Sequence, residues 1–191
     1  PTIHEWVGEE TEEDREKPTW QTQKVVFGIG AIWIVALSSG LMYVTRYAIN
    51  SWGILYLQEI RGFSLLDAGF FLAVNTVAGI FGSIAYGYVS DKLFDARRPP
   101  ANLIFAVVEV LALLVIFYGP TNEITLALAF AAYGFTLSGL MASLGGLFAV
   151  DIAPRGATGA AMGFVGVFSY LAAATQDVIS ASLIGAGVST I

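Results

Sequence analysis

The chain of 191 residues is 56% hydrophobic and only 13% charged, with a mean hydropathy of +0.71. Soluble domains are about 45–50% apolar and about 25% charged, so this composition leaves too little polar surface for a soluble particle. The net charge of −6 excludes the basic surface that nucleic-acid binding requires, and the absence of cysteine excludes disulfides. The sequence therefore predicts an integral membrane protein.

Residues 1–24 differ from the rest of the chain because they hold seven carboxylates and three Lys or Arg residues. They lack the early apolar run of a signal peptide. They are predicted to be a mobile, solvated linker, with an acidic tail that binds a partner as the alternative. Because the chain starts at Pro1, we expect it to be a piece of a longer protein.

Residues 25–191 contain five apolar stretches, each long enough to cross about 30 Å of hydrocarbon as a helix. The stretches are residues 25–57, 65–89, 101–118, 123–150 and 157–180. The first is longer than a bilayer needs, so residues 25–32 are expected to form an interfacial lead-in. The second begins with Ser64 followed by Asp67, a pattern similar to a capping box. The predicted fold is an all-α, polytopic helical bundle.

The basic residues of the short connections predict the orientation, because cytoplasmic loops carry an excess of Lys and Arg. Seven bases fall on one side of the predicted bundle and only Arg61 falls on the other. The linker and the connections at residues 90–100 and 151–156 are therefore predicted to be cytoplasmic. The seven bases are Arg15, Lys17, Lys24, Lys92, Arg97, Arg98 and Arg155.

Arg46 lies near the middle of the first stretch, where a charge costs at least about 2.5–3.5 kcal/mol on insertion scales. We therefore expect it to face a cavity. Its guanidinium fork matches phosphate or carboxylate oxygens, which predicts an anion site. The alternative is a buried ion pair with Glu109 or Asp177 that fixes helix packing. Helical spacing places a polar stripe around it: Ser39, Tyr43, Arg46, Asn50 and Gly53, with Tyr47 beside them.

Two carboxylates in the apolar stretches leave alternatives open. Glu109, near the middle of the third stretch, is either a structural glutamate or a group in proton coupling. Asp177, with Gln176 and Ser180, forms a polar patch. This patch is either a contact or gate for substrate hydroxyls or a structural hydrogen-bond network.

Two sets of glycines are spaced for helix packing. Small residues let transmembrane helices approach closely, either in static packing or in helices that slide during transport. The sets are Gly79, Gly82 and Gly87, and Gly159, Gly163 and Gly166.

A loop motif runs from Gly87 through Asp91 and Lys92 to Arg97 and Arg98. Gly87 is expected to allow close helix contact and Asp91 to cap a helix or pair across the loop. The three bases are expected to meet the anionic leaflet. The pattern G-x-x-x-D-[KR] with a trailing Arg-Arg resembles the loop signature of the major facilitator superfamily.

Two further segments resemble the organophosphate:phosphate antiporters of that superfamily, the group of the bacterial glycerol-3-phosphate and hexose-6-phosphate transporters. Residues 43–52 are similar to their helix 7, and residues 151–166 to their loop 10–11 and helix 11. The resemblance implies helices 7–11 of a twelve-helix fold, without the N-terminal half and the last helix. It also implies that Arg46 matches a helix 7 arginine that shares the substrate phosphate with a second arginine on helix 1.

The resemblance implies part of a secondary transporter that exchanges a sugar phosphate or glycerol phosphate for inorganic phosphate by alternating access. Its partners would be those two phosphates, the lipid bilayer of the bacterial inner membrane and the missing N-terminal half. No nucleophile with a positioned base is evident, so no enzyme is predicted. A histidine-based zinc site lacks ligands because His4 is the one histidine. No metal and no cofactor are expected. The alternative is a transporter-like membrane sensor of external sugar phosphate that acts on a histidine kinase.

Overall fold

A computed structural model describes residues 20–95, 97–154 and 156–185, which form helices and short connections without a β-strand. A π-helical turn, Ser143–Leu147, joins two of the helices into one continuous span. Five spans are long and apolar enough to cross a membrane, which confirms the predicted fold class. The helices are α1 (Trp20–Gly28), α2 (Gly30–Glu59), α3 (Leu65–Leu93), α4 (Arg98–Tyr118), α5 (Glu123–Ala142), α6 (Phe148–Ile152) and α7 (Thr158–Gly185).

The first span differs from its prediction. The backbone is extended at Ile29, with φ −87° and ψ 105°, and this residue separates α1 from α2. The predicted lead-in at residues 25–32 is therefore divided between two helices. Helix α1 begins at Trp20, inside the predicted linker, and residues 1–19 lie outside the described residues. The division of the chain at residue 24 stays a prediction.

The helix ends follow local sequence signals. The capping start at Ser64 is confirmed, because its Oγ accepts a hydrogen bond from the Asp67 amide at 3.2 Å and donates one to the Asp67 carboxylate at 2.6 Å. The side chain of Asn122 caps α5 by accepting from the Ile124 amide at 2.9 Å. Helix α4 begins at Arg98, earlier than predicted, because a Pro-Pro pair fits the first helical turn.

Helices α3 and α5 make the closest contact in the bundle, because glycines remove side chains from it. A Cβ at Gly82 would overlap with the backbone oxygen of Phe135, and one at Gly134 with the backbone oxygen of Asn75. A Cβ at Gly79 would also overlap with α5. The close packing predicted for Gly79 and Gly82 is thus confirmed.

The remaining glycines of the two sets are not at such contacts, contrary to the prediction. A Cβ at Gly87 would meet nothing within 4 Å in the described chain, because the buried stripe of α3 passes through Tyr86 and leaves Gly87 to one side. Helix α7 packs on α2 through Ala161 and Val165, so the three glycines of α7 lie on another face. They are Gly159, Gly163 and Gly166.

The α2–α7 pair forms the second part of the bundle. The buried hydroxyls of Ser39 and Ser169 share a hydrogen bond of 2.8 Å. One residue further along α2, a Cβ at Gly40 would lie 3.3 Å from the Cβ of Ala172. These two helices therefore approach closely where small residues face each other.

Polar contacts tie the connections together at each end of the bundle. At one end Arg98 forms an ion pair with Asp151, which joins the α3–α4 connection to the end of α6. At the other end an Nη of Arg61 donates to the carbonyl oxygen of Gly119 at 2.7 Å. The connections therefore group at the two ends as the alternating spans predict.

Candidate functional site

Arg46 lies in the middle of α2 between two tyrosines of the same helix. Its guanidinium carbon is 5.9 Å from the ring centroid of Tyr43 and 5.9 Å from that of Tyr47. Both rings are close enough for a cation–π attraction, which holds the guanidinium without neutralising its charge. Tyr43, Arg46 and Tyr47 thus form one group, as their spacing predicts.

A third tyrosine, Tyr170 of α7, completes an aromatic cluster around this group. Its ring centroid lies 5.3 Å from that of Tyr43 and 6.4 Å from that of Tyr47. Sequence analysis missed Tyr170. Its signal is that it is the one tyrosine of the fifth span, but the partner of that span could not be read from the sequence.

Arg46 has no carboxylate partner among the described residues. One Nη donates to the thioether sulfur of Met141 at 3.1 Å, and sulfur is a weak acceptor. The one ion pair within the described chain joins two other residues, so neither Glu109 nor Asp177 neutralises Arg46. A half-buried guanidinium thus keeps most of its hydrogen-bonding capacity and all of its charge available for an anion.

A cavity of about 300 Å³ opens beside Arg46 between α2, α3 and α5. We call it the arginine cavity. Its apolar wall includes Leu137 and Met141. Its polar wall is formed by Arg46, Asn50, Asn75, Thr76 and Ser138.

The polar stripe predicted along α2 is shorter than expected. Ser39 is 2% exposed and bonds to Ser169 in the α2–α7 contact. Gly53 is buried beside Leu72 of α3. The two ends of the stripe are covered because α2 packs on α7 near one end and on α3 near the other, so the open part is residues 43–50.

Asp177 lies outside the tyrosine cluster. It follows Tyr170 by seven residues on α7, which is about 10 Å along a helix. Its carboxyl Oδ1 is buried and has no hydrogen-bond partner in the described chain. The neighbouring Gln176 donates to the Ser180 hydroxyl at 2.8 Å, which supports a local network. A contact of Asp177 with substrate stays a prediction.

Glu109 is also separate from Arg46. Its side chain is 6% exposed and lines a different, mostly apolar cavity of about 710 Å³ between α2 and α4. Thr45 and Met42 of α2 line the same cavity. A role for Glu109 in proton coupling stays a prediction.

The loop motif contributes one contact that sequence analysis missed. Asp91, Lys92 and Arg97 are exposed, whereas Arg98 pairs with Asp151, a residue of the segment predicted to be loop 10–11. Arg155 of that segment lies outside the described residues. The motif therefore links the connection at residues 90–100 to the connection at residues 151–156, and both are predicted to be cytoplasmic.

Known proteins share this sequence pattern. The profile of the Major Facilitator Superfamily matches residues 5–175. The membrane sensor protein UhpC of Salmonella typhimurium is 38% identical over 143 residues, which cover 74% of this chain and 32% of the relative. The glycerol-3-phosphate transporter of Bacillus subtilis is 35% identical over 141 residues, or 73% of this chain and 32% of the relative.

The hexose-6-phosphate:phosphate antiporter of Escherichia coli is 31% identical over 183 residues, which cover 87% of this chain and 37% of the antiporter. The chain thus spans about a third of the length of the relatives it matches. The three relatives are named as a sensor, a transporter and an antiporter, not as enzymes.

Proposed function

The chain belongs to the major facilitator superfamily and is a multi-pass membrane protein, and we propose that it forms part of the C-terminal half of a transporter that exchanges an organic phosphate for inorganic phosphate. Two of the relatives described above are named for glycerol 3-phosphate and hexose 6-phosphate. Such folds bind substrate near the bilayer midplane between two halves, which rock around the site.

The observation that carries this proposal is the unneutralised Arg46 beside a polar cavity. Within the described chain no carboxylate pairs with it, and tyrosines on two helices surround it. A planar guanidinium binds phosphate through two parallel hydrogen bonds, an arrangement that a point charge cannot reproduce. Arg46 is therefore the proposed phosphate-binding residue, and Tyr43, Tyr47 and Asn50 are proposed to line the substrate path.

The charge balance supports exchange rather than one-way transport. A phosphate group carries about −1.5 to −2 charges at neutral pH. Arg46 supplies one positive charge, and the second arginine implied by the resemblance would lie on helix 1, outside this chain. An empty cavity holding two unneutralised arginines would resist reorientation across the low-dielectric membrane. Return of the empty transporter would then require another phosphate.

The orientation follows from the distribution of the bases. We place the connections at residues 90–100 and 151–156 and the acidic linker in the cytoplasm, and the protein in a bacterial inner membrane. The bases of the loop motif would then face the anionic leaflet.

A sensor of external sugar phosphate is the second candidate. It is favoured by the 38% identity to a relative named as a membrane sensor protein. Arg46 would bind phosphate in either case, so the two functions differ in flux and not in binding. Counterflow of labelled phosphate in proteoliposomes that hold the intact protein separates them, because a sensor would bind phosphate without exchanging it.

The substitution Arg46→Lys tests the proposed site in the intact protein. Lysine keeps the charge but loses the fork, so the affinity for inorganic phosphate should fall by about 10–150-fold, the equivalent of about 1.5–3 kcal/mol for one charge-assisted contact. Arg61→Lys is the matched control, because Arg61 lies at the end of the bundle and contacts a carbonyl group. Unchanged phosphate affinity in a folded Arg46→Lys protein would remove the proposed role of Arg46.

A further inference from the structure

Met141 makes the hydrogen bond that, among the described residues, joins the Arg46 guanidinium to another helix. It lies on α5, and its thioether sulfur accepts from an Nη of Arg46 at 3.1 Å. Met141 also lines the arginine cavity beside Arg46 and is half-buried, so its side chain borders that cavity and is not sealed in the core. A thioether is thus placed directly against the proposed phosphate-binding residue.

A thioether leaves the guanidinium available for an anion because sulfur is a weak acceptor. An amide or a carboxylate at residue 141 would accept a hydrogen bond from Arg46 more strongly and would compete with phosphate. The same applies to oxidised methionine, because the sulfoxide is polar and carries an oxygen that accepts hydrogen bonds. Methionine therefore suits this position only while its sulfur stays unoxidised.

The other methionines of the chain are placed differently. The chain has three methionines and no cysteine, so thioethers are its oxidisable sulfur groups. Met42 is partly buried and packs against two apolar clusters of the bundle. Met162 on α7 is 42% exposed, the most of the three. Within the described chain, Met141 is the methionine that both borders the arginine cavity and contacts a cation.

We propose that Met141 is an oxidation site, where a peroxide converts the thioether to a sulfoxide that binds Arg46 and blocks the phosphate site. This inference rests on the proposed function. A sulfur lone pair attacks one oxygen of hydrogen peroxide, so that an S–O bond forms while the O–O bond breaks. The departing hydroxide takes the proton of the transferred oxygen and leaves as water. The sulfur loses a pair of electrons and the peroxide gains it.

The geometry around Arg46 favours binding of the sulfoxide. The rings of Tyr43 and Tyr47 hold the guanidinium, whose carbon is 5.9 Å from each ring centroid. The Met141 side chain is unbranched and flexible, so it can move by the length of an S–O bond. Because both groups belong to one chain, the sulfoxide is a tethered ligand at a high effective concentration. Free phosphate must displace it, which lowers the affinity for phosphate.

Graded oxidation of the intact protein in detergent with hydrogen peroxide tests this inference. Peptide mass spectrometry measures the fraction of Met141 and of Met162 that has gained an oxygen, and binding of labelled inorganic phosphate is measured at each stage. The affinity should fall about tenfold or more, the effect of a charge-assisted hydrogen bond that phosphate must displace. The loss should follow the oxidation of Met141 and not that of Met162. This correlation requires no variant.

Two variants assign the effect to one sulfur. Each is compared with its own untreated protein, so that the effect of the substitution itself cancels. Met141→Leu keeps a similar volume without a sulfur, and peroxide should change its phosphate affinity less than about twofold because no sulfoxide can form there. Met162→Leu is the matched control. It removes the more exposed methionine, but its phosphate affinity should still fall on oxidation as in the unmodified protein.

The outcomes separate this inference from the proposed function. Met141 that stays unmodified while Met162 is fully oxidised would overturn the inference, and so would an undiminished phosphate affinity after Met141 is oxidised. An equal loss of affinity in the oxidised Met141→Leu protein would also overturn it. All three results leave the proposed function intact. An untreated, unmodified protein that binds no phosphate would instead overturn the proposed function, and this inference with it.

Discussion

Replacing Gly82 by alanine should force α3 and α5 apart and lower the stability of the protein. The added Cβ would come within 3.0 Å of the oxygen, carbonyl carbon and Cα of Phe135. All three are backbone atoms of a helix, which cannot rotate away as a side chain can. The whole of one helix must therefore shift at the closest contact of the bundle.

The size of the effect is the difference of two terms. Overpacking of a well-packed contact costs about 1–3 kcal/mol, and an overlap with three backbone atoms belongs near the upper end. Alanine returns roughly 1 kcal/mol through its better helix propensity in the middle of a helix. The net loss should therefore be about 2 kcal/mol.

Thermal unfolding of the intact protein in detergent, followed by size-exclusion chromatography, measures this loss. Gly69→Ala in the same helix is the control, because a Cβ at Gly69 would meet nothing within 4 Å. It carries the gain in helix propensity without the overlap, so its melting temperature should equal or exceed that of the unmodified protein. A Gly82→Ala protein as stable as the Gly69→Ala protein would refute the packing argument.

Two further predictions concern buried tyrosines and topology. Tyr86→Phe should lower the free energy of unfolding by about 1–3 kcal/mol, because the Tyr86 hydroxyl bonds to the Ser143 hydroxyl at 2.8 Å and to the amide oxygen of Asn102. Tyr133→Phe should leave the stability unchanged or raise it, because the buried Tyr133 hydroxyl has no partner in the described chain. Equal losses of thermal stability in the two variants would contradict this reasoning. Single cysteines at Asp95 and Thr121, both exposed, should react with an impermeant maleimide on opposite sides of the membrane. Labelling of the Asp95→Cys protein from outside intact cells would show that the proposed orientation is reversed.

The five spans could be predicted because crossing a bilayer requires a long run of apolar residues, which is a local property of the sequence. The capping at Ser64 is local in the same sense. The interruption at Ile29 was missed, although Gly28 and Gly30 flank it, because the surrounding apolar run is continuous. The π-helical turn before α6 was also missed, although it contains two adjacent glycines.

The candidate site was predicted only as far as one helix extends. Tyr43, Arg46, Tyr47 and Asn50 all belong to α2, so helical spacing alone groups them. Tyr170 and the residues of α3 and α5 required knowledge of which helices pack together. In a membrane bundle the face toward lipid is as apolar as the face toward another helix, so apolar periodicity does not distinguish them.

The separation of Arg46 from the carboxylates of the bundle bears most directly on how an exchanger could work. Glu109 and Asp177 both lie in membrane spans, and either could in principle have neutralised an arginine one helix away. The fold instead places Glu109 in a different cavity and Asp177 about two turns beyond the tyrosine cluster. An internal carboxylate beside Arg46 would compete with phosphate in every transport cycle, and the empty site would be electrically satisfied. No described residue supplies such a carboxylate, so in the proposed site Arg46 would be best satisfied when phosphate is bound, and this asymmetry is what the proposed coupling of movement to exchange requires.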